Sequence, residues 1–327
     1  MVTRDAGFSL PELLVAMGIG AAVMAGAFGL MQMAQHAFIA QGEAADMEQR
    51  LRVAADTLTR DLVMAGAGSR AAQGSAVPQY AFAPILPYRR GLVRDDPAGT
   101  FRSDALTVLY APSTPAGATL AADLTSTART LTLNAGAGCP LGEIACGLKQ
   151  GDSILIHDAA GSFDTFTLGI VTPGRVEMVA NRSPGTPATT YGAGSKVAKI
   201  VQRTYGLKSD SARNLYQLVS YDGSSNSDVP IVDHLVGLEF EYFADSRLTA
   251  ADLTDGPWYP DASSANRFDA DLLRVRKIGV TLRVEAADDA LRGPSGTLFV
   301  RGGTSRTGTR QLPDEIVRLD VAPRNLR

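Results

Sequence analysis

Charge is missing from a long early stretch of the chain: between Leu13 and Gly42 there is no Asp, Glu, Lys or Arg. A run of that kind is built for lipid rather than for water. Catalytic signatures are missing as well, with no G-x-S-x-G, H-E-x-x-H or G-x-G-x-x-G anywhere. Gly192-Ala-Gly-Ser-Lys196 lacks the G-x-x-x-x-G-K-[ST] spacing of a phosphate loop and follows Pro-bearing loop sequence. Histidine is scarce, and His36, His157 and His234 lie far apart, which favours structural or surface roles over a catalytic pair. Only two cysteines occur, Cys139 and Cys146, too few ligands for a zinc site without help from remote histidines. The net charge of −3 and a pI near 5.7 give no sign of a general nucleic-acid binder. No internal repeat is present. Together these absences point away from an enzyme and from any bound cofactor or metal.

What is there begins with the uncharged run itself. Its first part, Leu13 to Met31, is almost wholly apolar and long enough to cross a bilayer as a helix rising about 1.5 Å per residue. One carboxylate, Glu12, stands at its start. A charge at the centre of a membrane helix costs roughly 2.5 to 3.5 kcal/mol on insertion scales, so Glu12 calls either for a partner or for a place in interfacial water as the first-turn acid. A secretory signal peptide is excluded because the run is too long, no small-x-small cleavage site follows, and the helical pattern continues past its end. Met47, Leu51, Ala54, Leu58, Leu62 and Ala65 recur at spacings of three and four, with Glu43, Asp46, Arg50, Arg52, Asp56 and Arg60 on the other faces. The spacing predicts one helix from about Phe8 to Ala65, apolar all round at first and amphipathic afterwards, stopping at Gly66-Ala67-Gly68. At about 87 Å it is too long for an ordinary globular domain.

Beyond the helix, Ser69 to Arg327 is long enough for one large or two small domains. Ala105–Tyr110, Ser153–His157, Phe163–Leu168, Lys196–Val201, Leu215–Val219, Gly237–Phe243 and Ile278–Val284 are rich in β-branched and aromatic residues and are separated by Gly, Pro, Asn or Asp. They read as strands, while Ser69–Thr100 and Arg182–Ser195 read as loops. The expected class is α+β, with a long N-terminal helix packed through its second half on a large antiparallel β-rich head. Within the apolar run, Gly18, Ala22 and Gly26 repeat every four residues, as do Ala21, Ala25 and Gly29. Small residues so spaced let helices approach closely, although a merely Ala/Gly-rich span reads the same way.

MVTRDAG followed by FSLPELLVAMGIG resembles the class III leader and N-terminal helix of type IV pilins and pseudopilins. The resemblance implies that a prepilin peptidase cuts between Gly7 and Phe8 and methylates the new amine, making Glu12 the fifth residue of the mature chain. It further implies that Glu12 pairs with the Phe8 amine of a neighbouring subunit during assembly. Pro11 departs from the family's usual aliphatic residue, but proline is tolerated in a first helical turn. The leader, with Arg4 beside Asp5, is nearly neutral, which weakens the argument for orientation. Segments Ser103–Ala111, Gly147–Ile156, Ile231–Tyr242, Leu273–Arg283 and Arg318–Arg327 are similar to segments of PilW-type minor pilins.

The resemblance implies three regions: a leader (1–7), a helix with a transmembrane half (8–66) and a periplasmic or extracellular head (67–327). It implies a low-copy subunit that initiates the pilus or sits at its tip. The partners implied are the prepilin peptidase, other minor and major pilins, a pilus tip protein and the inner membrane, with no nucleic acid. The nearest alternative is the type II secretion minor pseudopilin GspJ, usually smaller. A membrane-anchored enzyme is the weakest alternative. In another, an adhesin, loops near Tyr80–Arg102 or Asp245–Asp271, with Trp258 and Tyr259, contact a ligand.

If the head faces an oxidising compartment, Cys139 and Cys146 close the short loop CPLGEIAC as a disulfide, contributing about 2.5 kcal/mol at most; free thiols are the alternative. Asp222, Ser224, Asn226 and Asp228, with Asp233 beyond, faintly resemble a calcium loop. The turn glycine is absent and Pro230 intrudes, so a solvated hairpin turn is the better reading.

Overall fold

The structure is a computed structural model that describes residues 9–67, 83–89, 100–111, 117–135, 147–158, 163–172, 175–179, 190–210, 212–223, 228–244, 272, 274–292 and 312–326. One helix, α1 (Leu10–Met64), runs for 55 residues. Ser9 caps it in an extended conformation and Pro11 occupies its first turn, where a missing N–H goes unnoticed. It ends where Gly66 takes φ +70° and donates its N–H to the Leu109 carbonyl at 3.0 Å. A Cβ there would meet Leu326 Cδ2 at 2.9 Å and Pro84 Cγ at 3.3 Å, so the turn requires glycine twice over. The stripe Met47, Leu51, Ala54, Leu58, Leu62 and Ala65 is buried along its whole length, as the spacing predicts.

The head is β throughout its described elements. Its strands are β1 (Ile85–Leu86), β2 (Arg102–Tyr110), β3 (Gly117–Leu120), β4 (Thr130–Ala135), β5 (Ser153–His157), β6 (Phe163–Thr172), β7 (Arg175–Val179), β8 (Lys196–Asp210), β9 (Leu215–Tyr221), β10 (Val229–Asp233), β11 (Leu235–Phe243), β12 (Lys277–Val284) and β13 (Glu315–Val321). All their pairings are antiparallel.

Strand β8 organises two of the three sheets. Its first residues pair with β3 on one side and β5 on the other, Val197 facing both Ala118 and Ile156. Because β3 pairs β4, β4 pairs β7, β7 pairs β6 and β6 pairs β5, these strands close with β8 into a six-stranded barrel. Leu120, Leu131, Ile154, Ile156, Phe166, Leu168 and Val197 fill it. The rest of β8 pairs with β2, from Val201 opposite Tyr110 down to Lys208 opposite Arg102, and with β9 on its other edge. This half belongs to a five-stranded sheet, β1-β2-β8-β9-β10, so the barrel is an insertion between two strands that are themselves neighbours.

A separate sheet, β11-β12-β13, completes the head. The main core joins the α1 stripe to Leu106, Val108, Tyr205, Leu207, Leu218 and Val232 of the five-stranded sheet and to Leu238, Phe240, Ile278, Val280 and Leu282 of the three-stranded one. A smaller cluster, Leu86, Leu109, Leu155 and Ile200, seals the seam between barrel and sheet. The chain passes from one sheet to the other at a single residue, His234, held at φ 58° between β10 and β11. His234 therefore sits at a corner and not within a strand.

One loop expectation needs correction. Ser69–Thr100 contains β1, too short for periodicity to reveal. Within Arg182–Ser195, Tyr191 bridges Leu124 and donates its hydroxyl to Asp164 at 2.9 Å inside the barrel. The Asp222–Asp233 stretch does lie at the β9–β10 hairpin, but Asp228 is not solvated. Its buried carboxylate accepts from Arg89 Nη1 at 2.5 Å, Arg102 Nη2 at 2.6 Å and Lys208 Nζ at 3.1 Å. Burial alone would push this carboxyl upward, yet the hydrogen bonds from Arg89 and Arg102, the Arg89 charge and the Lys208 contact hold it at about 2.

A carboxyl held below its unfolded value of 3.8 stabilises the fold fully above pH about 4, and that contribution disappears as the pH falls through about 2. Asp228→Ala is expected to cost about 3 kcal/mol at neutral pH by leaving three cations around an empty position. Urea unfolding of the detergent-solubilised chain, followed by circular dichroism at pH 7 and across pH 2 to 4, measures both effects.

Candidate functional site

The helix start is built from three residues. The Ser9 backbone N–H donates to Glu12 Oε2 at 3.1 Å and the Ser9 hydroxyl donates to the same oxygen at 3.0 Å, a capping-box arrangement. Glu12 is exposed and finds its described partner within its own first turn. Between them, Pro11 gives up no hydrogen bond that the helix would have used.

From this point the helix is bare. An 18-residue window of α1 has a mean hydropathy of 2.1, and none of it is buried by the rest of the chain. By length and composition it can cross a membrane. Leu13, Leu14, Met17, Val23, Met24 and Phe28 are all more than half exposed. Gly18 and Gly26 have nothing within 4 Å of the position a Cβ would take, and Ala22 between them is exposed. The small-residue stripe is thus intact and uncovered.

Two polar anchors hold the second half of the helix to the head. At the lower one, Glu43, the first charge after the uncharged run, accepts the Ala287 N–H at 2.6 Å and lies 3.6 Å from Arg50, which also pairs with Asp46. Nearby, the wholly buried Glu285 sits 3.7 Å from Arg292 and 3.8 Å from His234. Arg292 in turn donates Nε to the Ala286 carbonyl at 3.0 Å. At the upper anchor, the Tyr205 hydroxyl donates to Asp61 Oδ2 at 2.6 Å, and Tyr110 faces the same carboxylate. Burial first, and Asp61 second, push both phenols above their ordinary value.

A cavity of about 490 Å³ lies beside the helix, lined in part by Asp46, Arg50, Arg213, Gln217, Asp233 and His234. Its charged groups are already engaged: Asp233 accepts from Gln217 at 2.7 Å, Arg213 lies 3.8 Å from Asp210, and Arg50 pairs with Asp46. Among the described residues no group of three or more His, Cys, Asp or Glu side chains is placed to hold a metal ion. His157 is buried on β5, where burial lowers its affinity for a proton.

Gly7, Phe8, Cys139, Cys146, Trp258 and Tyr259 lie outside the described residues. Sequence reasoning missed Asp61 and Glu43 as anchors and Asp228 as a hub. Glu43 did carry a signal, being the charge that ends the neutral run, and Asp61 another, being an acid beside the buried Leu58 and Leu62.

Residues 2–28 match the family described as the prokaryotic N-terminal methylation motif. This motif is the class III prepilin signal, and it supports a type IV pilin or a type II pseudopilin. It covers Ser9 and the first third of α1, to Phe28, including Glu12, Gly18, Ala22 and Gly26. Neither the curated proteins nor the solved structures contain a match to the chain. The motif and the apolar helix behind it fit a membrane-anchored pilin, a structural class of protein whose processing falls to a prepilin peptidase and whose neighbours are other pilins.

The helix anchors are open to a direct comparison. Tyr205→Phe is expected to cost about 1 kcal/mol by removing the donor that Asp61 accepts, and Leu58→Ala about 3 kcal/mol by opening a cavity under the stripe. Denaturant midpoints of the solubilised chain report both.

Proposed function

We propose that this chain is a PilW-type minor pilin that helps initiate a type IV pilus or forms part of its tip. The observation that carries the reading is the methylation motif running without interruption into a helix whose apolar window no described residue of its own head covers. In this reading the peptidase cuts between Gly7 and Phe8 and methylates Phe8, dividing the chain into a leader (1–7), a helix (8–66) and a head (67–327). Glu12 then pairs with the Phe8 amine of a neighbour, because an unpaired carboxylate in a medium of low dielectric selects the subunit that neutralises it.

The face bearing Gly18, Ala22 and Gly26 would admit close approach of other pilin helices. The subunit stands first in the inner membrane, with its head in the periplasm, and then among other minor and major pilins and a tip protein. A disulfide between Cys139 and Cys146 suits that compartment. The motif serves type II pseudopilins equally well, so a GspJ-like role is the second reading; the length of the chain favours the first.

Intact mass and terminal sequencing of the chain purified from its native membrane are expected to find N-methylated Phe8 as the first residue. Retention of Met1–Gly7 beside an active prepilin peptidase would sink the proposal. Glu12→Gln is expected to be cut normally yet to enter filaments at least about tenfold less, as loss of a contact worth some 1.4 kcal/mol implies.

A further inference from the structure

We propose that Ser9 is a positioning residue for the Glu12 carboxylate: it holds Oε2 within the subunit and leaves Oε1 to meet a neighbour. The inference rests on the reading of Glu12 as the carboxylate that pairs between subunits. Both Ser9 donors, the backbone N–H at 3.1 Å and the hydroxyl at 3.0 Å, converge on Oε2. Among the described residues no donor reaches Oε1.

No other fixed partner is on offer nearby. Pro11 has no N–H, and the next charge along the helix is Glu43. A glutamate free at the start of an apolar helix samples several rotamers, and each approach of a neighbouring amine must first order it. Charge-assisted bonds from Ser9 order it beforehand and satisfy half of the carboxylate. The residue as a whole stays exposed. Ser9 therefore acts on assembly through Glu12, whereas a simple helix cap would act through the stability of the first turn whatever stood at position 12.

A double-mutant cycle separates the two. The full-length chain is expressed in its host in place of the native copy, and chain in sheared filaments is divided by processed chain in the membrane, which removes any effect on cleavage. Ser9→Ala is expected to lower this ratio about fivefold, the equivalent of one hydrogen bond, and Ser9→Thr to restore it. Combining Ser9→Ala with Glu12→Gln is expected to be no worse than Glu12→Gln alone. A wild-type ratio in Ser9→Ala, a failure of threonine to rescue, or effects that multiply in the double variant would each overturn the role of Ser9. A wild-type ratio in Glu12→Gln would overturn the reading of Glu12 itself, and this inference with it.

Because Ser9 lies beside the cut, a second readout uses the uncleaved full chain in detergent micelles. Glu12 is expected to react with dicyclohexylcarbodiimide about fivefold faster once Ser9→Ala has removed the hydroxyl bond and left only the backbone N–H on Oε2. Equal rates would overturn the proposal without reference to filaments.

Discussion

Everything in this molecule depends on one helix passing through two environments without a break. Its apolar window is left uncovered by the described residues of the head, and from Met47 onward one stripe of its side chains is the floor of the head's core. Such a helix gains little from propensity alone over its Gly-bearing first half; its stability there must come from lipid or from other helices. In the second half, tertiary burial takes over, since each fully buried leucine contributes roughly 1.5 to 3 kcal/mol. Glu43 marks the change of regime, satisfied by the Ala287 amide and Arg50 rather than by bulk water.

The two polar anchors explain why the helix keeps one pose on the head. Hydrophobic contact is non-directional and would tolerate sliding by a turn, whereas Asp61 against Tyr205 and Glu43 against Ala287 specify a register. They lie near opposite ends of the buried stripe, so the core between them needs only to fill volume. The buried Glu285, shared by Arg292 and His234, secures the corner where the chain leaves one sheet for the other.

The parts legible in the sequence are those with a strong period. The α1 stripe and the strands β2, β5, β6, β8, β9, β11 and β12 announced themselves by spacing or by runs of β-branched residues, and the α+β plan followed. Among the missed strands, β1 and β3 are only two and four residues long and β13 carries charges at Arg318 and Asp320, while β4, with six uncharged residues, alternates Thr and Leu over too short a run to stand out. Closure of the barrel was illegible in principle, because it depends on β8 serving two partners on each side, and pairing partners are not a local property. Asp228 was misread for a similar reason. Its neighbours in sequence are turn residues, and its partners Arg89, Arg102 and Lys208 arrive from other segments. At the helix start the motif spoke plainly, but the engagement of Glu12 by Ser9 emerged only from atomic geometry.

The insertion of the barrel also bears on how the chain can fold. Tyr110 and Val201 face each other across β2 and β8 although a whole barrel separates them in sequence. Pairing them directly from an open chain would mean closing a long loop before any contact rewards it, and the entropic cost of closure grows with loop length. A barrel that closes first brings its own entry and exit side by side, since β3, which follows β2, and the start of β8 are already paired within it. The inserted module then acts as a template for its host: completing the barrel aligns the remaining residues of β8 with β2, and the five-stranded sheet can grow outward from that edge toward the helix.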